Sequence, residues 1–267
     1  EFLRAMRFSN AFLASPFLLR PSVLPTAPRL YCSAPLSESL AAVRNRLADA
    51  AGERALPPRL VAVSKTKPVE ALLEAYEAGV RDFGENYVQE LVLKSMQLPD
   101  DVRWRFIGSL QSNKAKTLVS GVANLQCVET VNSAKLADKL QKALSEVVPE
   151  REAPLEVLLQ VNTSPWEGTK GGVMPEEAAD LAAHIADRCP LLRVAGVMTI
   201  GAPGEERCFR TLLDSRDLVA ETLGVQSAQL ELSMGMSGDF EAATRAGSTS
   251  VRVGSAIFGA REYPPKV

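Results

Sequence analysis

The chain has 267 residues, 46% apolar and 23% charged, with a net charge of −2. That length suits one barrel of roughly 250 residues and is short for two full domains. The near-neutral charge gives no basic footprint for nucleic acid, and no apolar run reaches the roughly 18 residues that a membrane span needs.

Along the chain, residues 2–37 come first and differ in kind. They contain no acid, several serines and prolines, and Arg4, Arg7, Arg20 and Arg29, whereas the rest carries 26 basic and 31 acidic residues. An Arg- and Ser-rich, acid-poor leader on an acidic body has the composition of a transit peptide. Residues 1–34 are therefore expected to be a leader for mitochondria or plastids, with a cytoplasmic protein as the outcome if the leader does not function. Residues 35–267 are expected to be the folded domain.

A helix over about Leu36–Ala51 opens that domain. Strands are then predicted at Leu60–Ser64, Arg81–Gly84, Arg103–Gly108, Leu125–Glu129, Leu155–Val161, Arg193–Met198, Gln229–Ser233 and Ser250–Val253. Amphipathic stretches alternate with them, among them Val69–Ala78, Ser133–Val147, Pro175–Arg188, Glu206–Leu223 and Asp239–Ala246. Strands alternating with helices imply parallel strands joined by crossovers. Eight such units fit a single α/β (β/α)₈ TIM barrel. The alternative, an open Rossmann-like sheet, lacks its glycine fingerprint, since the first turn reads Ser64-Lys65-Thr66-Lys67-Pro68.

Barrels of this kind carry their sites where strands end. Here those ends are Lys65, Asn86, Ser109, Thr130, Asn162, Thr199, Ser233 and Gly254-Ser255. Side chains on a strand alternate with period two, so Val61, Val63 and Lys65 share a face that points into the barrel mouth. In the last strand Val251 and Val253 suit the helices, which turns Arg252 inward. An arginine buried there needs an acceptor. The seventh and eighth strand ends, Ser233-Met234-Gly235-Met236-Ser237-Gly238 and Gly254-Ser255, suit phosphate binding by loop N–H groups and a helix N-terminus. Ser237 is expected to cap the helix that starts near Asp239.

The inventory is thus one lysine, one inward arginine and a phosphate cradle. A lysine beside a phosphate site suggests a phosphorylated carbonyl ligand held as an imine. Lys67 is the rival amine. His184 is the single histidine and reads as a surface or packing residue of a helix. The four cysteines lie far apart, so neither paired zinc ligands nor a redox pair is expected, and no metal site is expected.

Six stretches carry a family resemblance: LVAVSKTKP at 60–68, FGENYVQE at 83–90, WRFIGSLQSNK at 104–114, GVMTI at 196–200, LSMGMSGD at 232–239 and SVRVGSAIFG at 250–259. From about Leu36 onward the chain resembles the pyridoxal phosphate homeostasis protein family. That resemblance implies a barrel like the N-terminal domain of alanine racemase, with pyridoxal 5′-phosphate (PLP) as a Schiff base on Lys65. It also implies Asn86 beside the cofactor, Arg252 facing the pyridine nitrogen, and Ser233, Ser237, Gly254 and Ser255 around the phosphate. Two positions depart from the family pattern, Arg105 where histidine is usual and Ser109 where proline or histidine is common. By parity Arg105 faces opposite to Trp104 and Phe106.

The function that the resemblance implies is intracellular PLP (vitamin B6) homeostasis by a regulator or carrier. The expected partners are PLP and apo PLP-dependent enzymes, and the protein is expected to be a monomer. The alternatives are a slow PLP-dependent amino-acid racemase and a sugar-phosphate barrel enzyme. Racemisation needs a second acid/base group and a lid that excludes water. Alanine racemases take much of both from an added β-domain, which the short stretch after the eighth strand is not expected to supply. Tyr87 is the one tyrosine expected near the rim, beginning a helix and packing there. Sugar-phosphate chemistry wants a carboxylate or histidine at the rim, where Glu85 alone is a candidate.

Overall fold

The computed structural model describes residues 35–54, 56–148, 153–167 and 171–260. The leader expected over 1–34 lies outside them. The strands are β1 (Arg59–Val63), β2 (Asp82–Glu85), β3 (Arg103–Phe106), β4 (Leu125–Val131), β5 (Leu155–Gln160), β6 (Leu192–Met198), β7 (Glu231–Met236) and β8 (Ser250–Val253). They close in sequence order into an eight-stranded barrel. The pairing of β1 with β8, Leu60 against Val251 and Ala62 against Val253, is the closure that rules out an open sheet.

The helices are α1 (Leu36–Ala51), α2 (Val69–Glu77), α3 (Val88–Ser95), α4 (Ala115–Gly121), α5 (Ala134–Val147), α6 (Ala178–Arg188), α7 (Arg207–Leu223), α8 (Phe240–Arg245) and α9 (Ser255–Phe258). Helix α5 shows how the sequence builds one. The Ser133 hydroxyl accepts from the Leu136 N–H, satisfying a donor that the first turn leaves orphaned. Leu136, Ala137, Leu140, Ala143 and Leu144 then fall on one buried stripe at helical spacing. Helix α7 stops at Gly224, in the left-handed region at φ 65°, which glycine enters without strain.

Period-two alternation sorts the strand residues into two cores. Outward residues such as Ala62, Phe83, Trp104, Phe106, Val128 and Val253 join the helices in one apolar layer. Each large side chain buried there stabilises the fold by roughly 1.5–3 kcal/mol. Inward residues of β4, β5 and β6 form a second cluster of Cys127, Leu158, Ala195 and Met198. Close approach inside the barrel fixes two glycines. A Cβ on Gly84 would lie 3.0 Å from Val61 and Ile107, and one on Gly108 would lie 2.1 Å from the Asn86 carbonyl oxygen.

Two elements run further than expected, with consequences for the site. Strand β4 extends to Val131, so Thr130 lies within it and donates to the Gly108 carbonyl. Strand β7 extends to Met236, because Gly235 adopts φ 96° and lets Ala243 pack where a Cβ would clash at 2.6 Å. Ser233 is therefore mid-strand, below the mouth.

Candidate functional site

A cavity of about 350 Å³ opens at the C-terminal ends of the strands. Val63, Lys65 and Lys67 follow β1 along its wall, with Asn86 and Ile107 beside them. Met198, Ile200 and Met236 add apolar wall, Ser237, Gly238, Gly254, Ser255 and Gly259 form the glycine- and serine-rich side, and Arg252 lies at the bottom. The structure thus brings together Lys65, Asn86, Ser237, Arg252, Gly254 and Ser255 as predicted. Lys67 also lines the cavity, with its ammonium donating to the Ala260 carbonyl at 2.8 Å. Ser233 is not a wall residue; its hydroxyl serves the network beneath.

That network is ionic, and it corrects the expectation of a single inward arginine. Arg252 is buried and donates to the Ser233 hydroxyl and the Thr199 carbonyl, both at 2.6 Å. Ser233 in turn donates to Glu129 Oε2 at 2.6 Å, which lies 3.9 Å from the Arg252 guanidinium. Arg105, fully buried, is the second inward arginine, paired at 2.5 Å with Glu129 and with Glu231. Burial pushes the Glu129 carboxyl up, but Arg105, Arg252 and the Ser233 hydroxyl together hold it below the ordinary carboxylate value. Burial lowers Arg252, partly offset by Glu129. A guanidinium stays charged even so, so Arg252 presents fixed donors to the cavity and has no proton to trade.

The turn that carries Lys65 is clamped from the helix side. Lys94 on α3 is buried and donates to the Ser64 carbonyl at 2.8 Å, to Glu85 at 2.7 Å and to Glu90 at 2.6 Å. The Ser64 hydroxyl also bonds Glu85, and Glu90 accepts from the Thr66 N–H at 2.6 Å. Thr66 sits at φ 63°, a conformation that costs a non-glycine residue about 1–3 kcal/mol unless its surroundings impose it. Burial pushes the Glu85 carboxyl up, and Lys94 and Ser64 pull it only part of the way back.

On the adjoining rim, after β7 and β8, the Ser237 hydroxyl accepts from the N–H groups of Gly254, at 3.1 Å, and Ala256, at 3.4 Å. It therefore caps α9 from across the loop. Helix α8, which it was expected to cap, has no side-chain cap bond at its Asp239 N-cap. Gly254, with no side chain, keeps this rim close to β1, since a Cβ there would meet Val63 at 3.3 Å. Asn86, which lines the cavity, has its Oδ1 buried without a partner. Asn162 is used locally, accepting from the Ser164 N–H, and Thr199 pairs with Thr163. Tyr87 stands at the N-cap of α3 with 56% of its surface exposed, so it does not pack as expected.

The chain matches the family described as alanine racemase, N-terminal domain, over residues 39–262. It is 45% identical over 245 residues to the pyridoxal phosphate homeostasis protein of Bos taurus, covering 85% of this chain and 88% of that one. The structure of PipY from Synechococcus elongatus, solved with PLP bound, is 34% identical with a TM-score of 0.65, covering 84% of this chain and 100% of that one. Alanine racemase from Corynebacterium glutamicum is 18% identical with a TM-score of 0.60, covering 86% of this chain and 63% of that one, a likeness of fold. The chain belongs to the alanine racemase N-terminal-domain class and, within it, to the pyridoxal phosphate homeostasis protein family. Among the described residues no helix is long and apolar enough to cross a membrane.

Proposed function

We propose that this chain binds PLP covalently through the Lys65 amine and holds the cofactor for apo PLP-dependent enzymes, without a substrate turnover of its own. The observation that carries the reading is the shared cavity of Lys65 and Arg252, with glycines and serines on the adjoining wall. The residues fit the group. Lys65 suits the aldehyde, Ser237, Ser255 and the Ser255 N–H suit the phosphate, and the unpartnered Asn86 Oδ1 offers an acceptor to a ring substituent. Arg252 would meet the ring nitrogen as a donor.

When bound, PLP supplies a carbonyl that condenses with amines and a ring that draws electrons from the attached carbon. Arg252 keeps its proton, so a ring nitrogen facing it stays unprotonated and the ring draws electrons weakly. The titratable side chains among the described cavity residues are Lys65, Lys67 and Arg252. Of these, the Lys67 ammonium is bonded to a carbonyl at 2.8 Å. This set lacks the carboxylate, tyrosine or histidine that would exchange a proton on the second face of an amino acid. The acid-free composition of residues 2–37 supports import into mitochondria or plastids.

The test is incubation of the PLP-loaded protein with each common L-amino acid, following enantiomers and products. Turnover well below roughly 1 per second, the low end for enzymes, is expected. Faster turnover would overturn the holder reading and favour a racemase.

A further inference from the structure

Away from the barrel mouth, three side chains of different donor chemistry converge between α5 and α6. His184 Nε2 and Asp138 Oδ1 are 2.8 Å apart. The Cys189 thiol, at the end of α6, lies 3.9 Å from the same oxygen. All three donor atoms fall within 4.8 Å of one another. The thiol belongs to a buried residue, whereas the imidazole and carboxylate reach the surface, with side-chain exposures of 31% and 56%. A pocket of that form has a closed sulfur side and an open water side.

The backbone that carries these donors is already tied. The Cys189 N–H donates to the Ile185 carbonyl, and the Cys189 carbonyl accepts from Leu192. Gln141 on α5 accepts from the Leu191 N–H at 2.8 Å, which pins α5 to the segment just past Cys189. Only side-chain torsions remain to be adjusted.

We propose that Asp138, His184 and Cys189 form a binding site for one zinc ion, with water as the fourth ligand. Zinc sits about 2.0–2.3 Å from O, N and S ligands in a tetrahedron, so its ligand atoms lie about 3.3–3.8 Å apart. The His184–Asp138 separation of 2.8 Å is shorter than that range, the Cys189–Asp138 separation of 3.9 Å is just beyond its upper end, and the third is at most 4.8 Å; shifts of about 1 Å, within rotamer adjustment, bring them to it. A mixed oxygen, nitrogen and sulfur set selects zinc over magnesium or calcium, which take oxygen alone.

Capture exchanges a proton for the metal. The zinc–sulfur bond forms, the sulfur–hydrogen bond breaks, and the proton leaves to water without change of oxidation state. The Nε2 proton that the contact with Asp138 requires leaves to water as Nδ1 takes one up, so that Nε2 gives its lone pair to the ion with no net proton change at His184. The Cys189 thiol is pushed up to about 11, first by burial and then by Asp138, so without metal it is a protonated, poorly nucleophilic group. This argues against a reactive-thiol role. The bound ion would bridge α5 to the end of α6 and raise the stability of the fold by mass action.

The test uses the full chain as purified, without a histidine tag, stripped of metal with a chelator. Cobalt(II) as a spectroscopic substitute is expected to bind once per chain and give a thiolate-to-cobalt charge-transfer band, read as a difference spectrum against the metal-free protein. Zinc in competition with a chromophoric chelator should bind once, release one proton and raise the Tm. Cys189→Ser should abolish the band, and the surface variant His184→Ala should weaken zinc at least tenfold while leaving the metal-free Tm near that of the parent. A band that survives Cys189→Ser, zinc affinity unchanged in His184→Ala, or no binding above the level of the variants would overturn the proposal.

Discussion

Lys94 donates to the backbone carbonyl of Ser64, the residue immediately before Lys65, at 2.8 Å. The same ammonium holds Glu90, whose carboxylate accepts from Thr66, the residue immediately after. One buried cation therefore fixes both neighbours of the lysine that carries the proposed chemistry. It also accounts for the left-handed Thr66, which the Glu90 acceptor stabilises in place.

Replacing Lys94 with methionine strips Glu85 of its cation. Breaking a buried pair on one side costs about 3–5 kcal/mol. The variant is expected to lose several degrees in Tm and to retain PLP less well, with Lys94→Arg recovering part of both. Thermal melts and equilibrium dialysis read the two effects. Wild-type retention in Lys94→Met would show that the clamp does not orient Lys65.

The phosphate rim is tested by Ser237→Ala with Ser255→Ala. A hydrogen bond to a charged group contributes about 1.5–3 kcal/mol, so PLP affinity should fall at least tenfold. Unchanged affinity would move the phosphate away from this rim.

The buried carboxylates give two opposite pH dependences. Glu129 is held below its ordinary value of 4.5, so its contribution is fully present above that pH and is lost as pH falls through the lower folded value. Glu129→Gln should be less stable than the parent at neutral pH and should decline less steeply on the acid side of 4.5. Glu85 is raised above 4.5. Its contribution is fully present below that pH and is lost as pH rises through the folded value. Glu85→Gln should flatten this decline. Chemical denaturation across the pH range decides the signs; a parent whose stability rises with acid below 4.5 would contradict the Glu129 assignment.

A fluorescent protein fused to residues 6–35 is expected to enter mitochondria or plastids when followed by microscopy. A diffuse cytosolic signal would retire the leader proposal.

The barrel was legible because its signal is local. Alternation along β1 put Val63 and Lys65 on the inner face, and both line the cavity; the same rule turned Arg252 inward. The rest of the site depends on pairs far apart in sequence. Parity places Arg105 on the face opposite Trp104 and Phe106, but nothing near it in sequence announces Glu129 and Glu231, which neutralise it from β4 and β7. Lys94 resembled any lysine on a helix, a type that usually faces water, and its burial follows from Glu85 at the end of β2. Ser233 lies below the mouth for a different reason: Gly235 signals a turn by composition, whereas its positive φ allows β7 to continue.

Lys65 as the covalent anchor is tested most directly by borohydride reduction and peptide mapping. The PLP-loaded protein should absorb near about 420 nm, as PLP imines do. Reduction should then fix one pyridoxyl group per chain on the peptide that contains Lys65, with the modification on that residue. A label on Lys67 with Lys65 unmodified, or no label at all, would contradict the assignment.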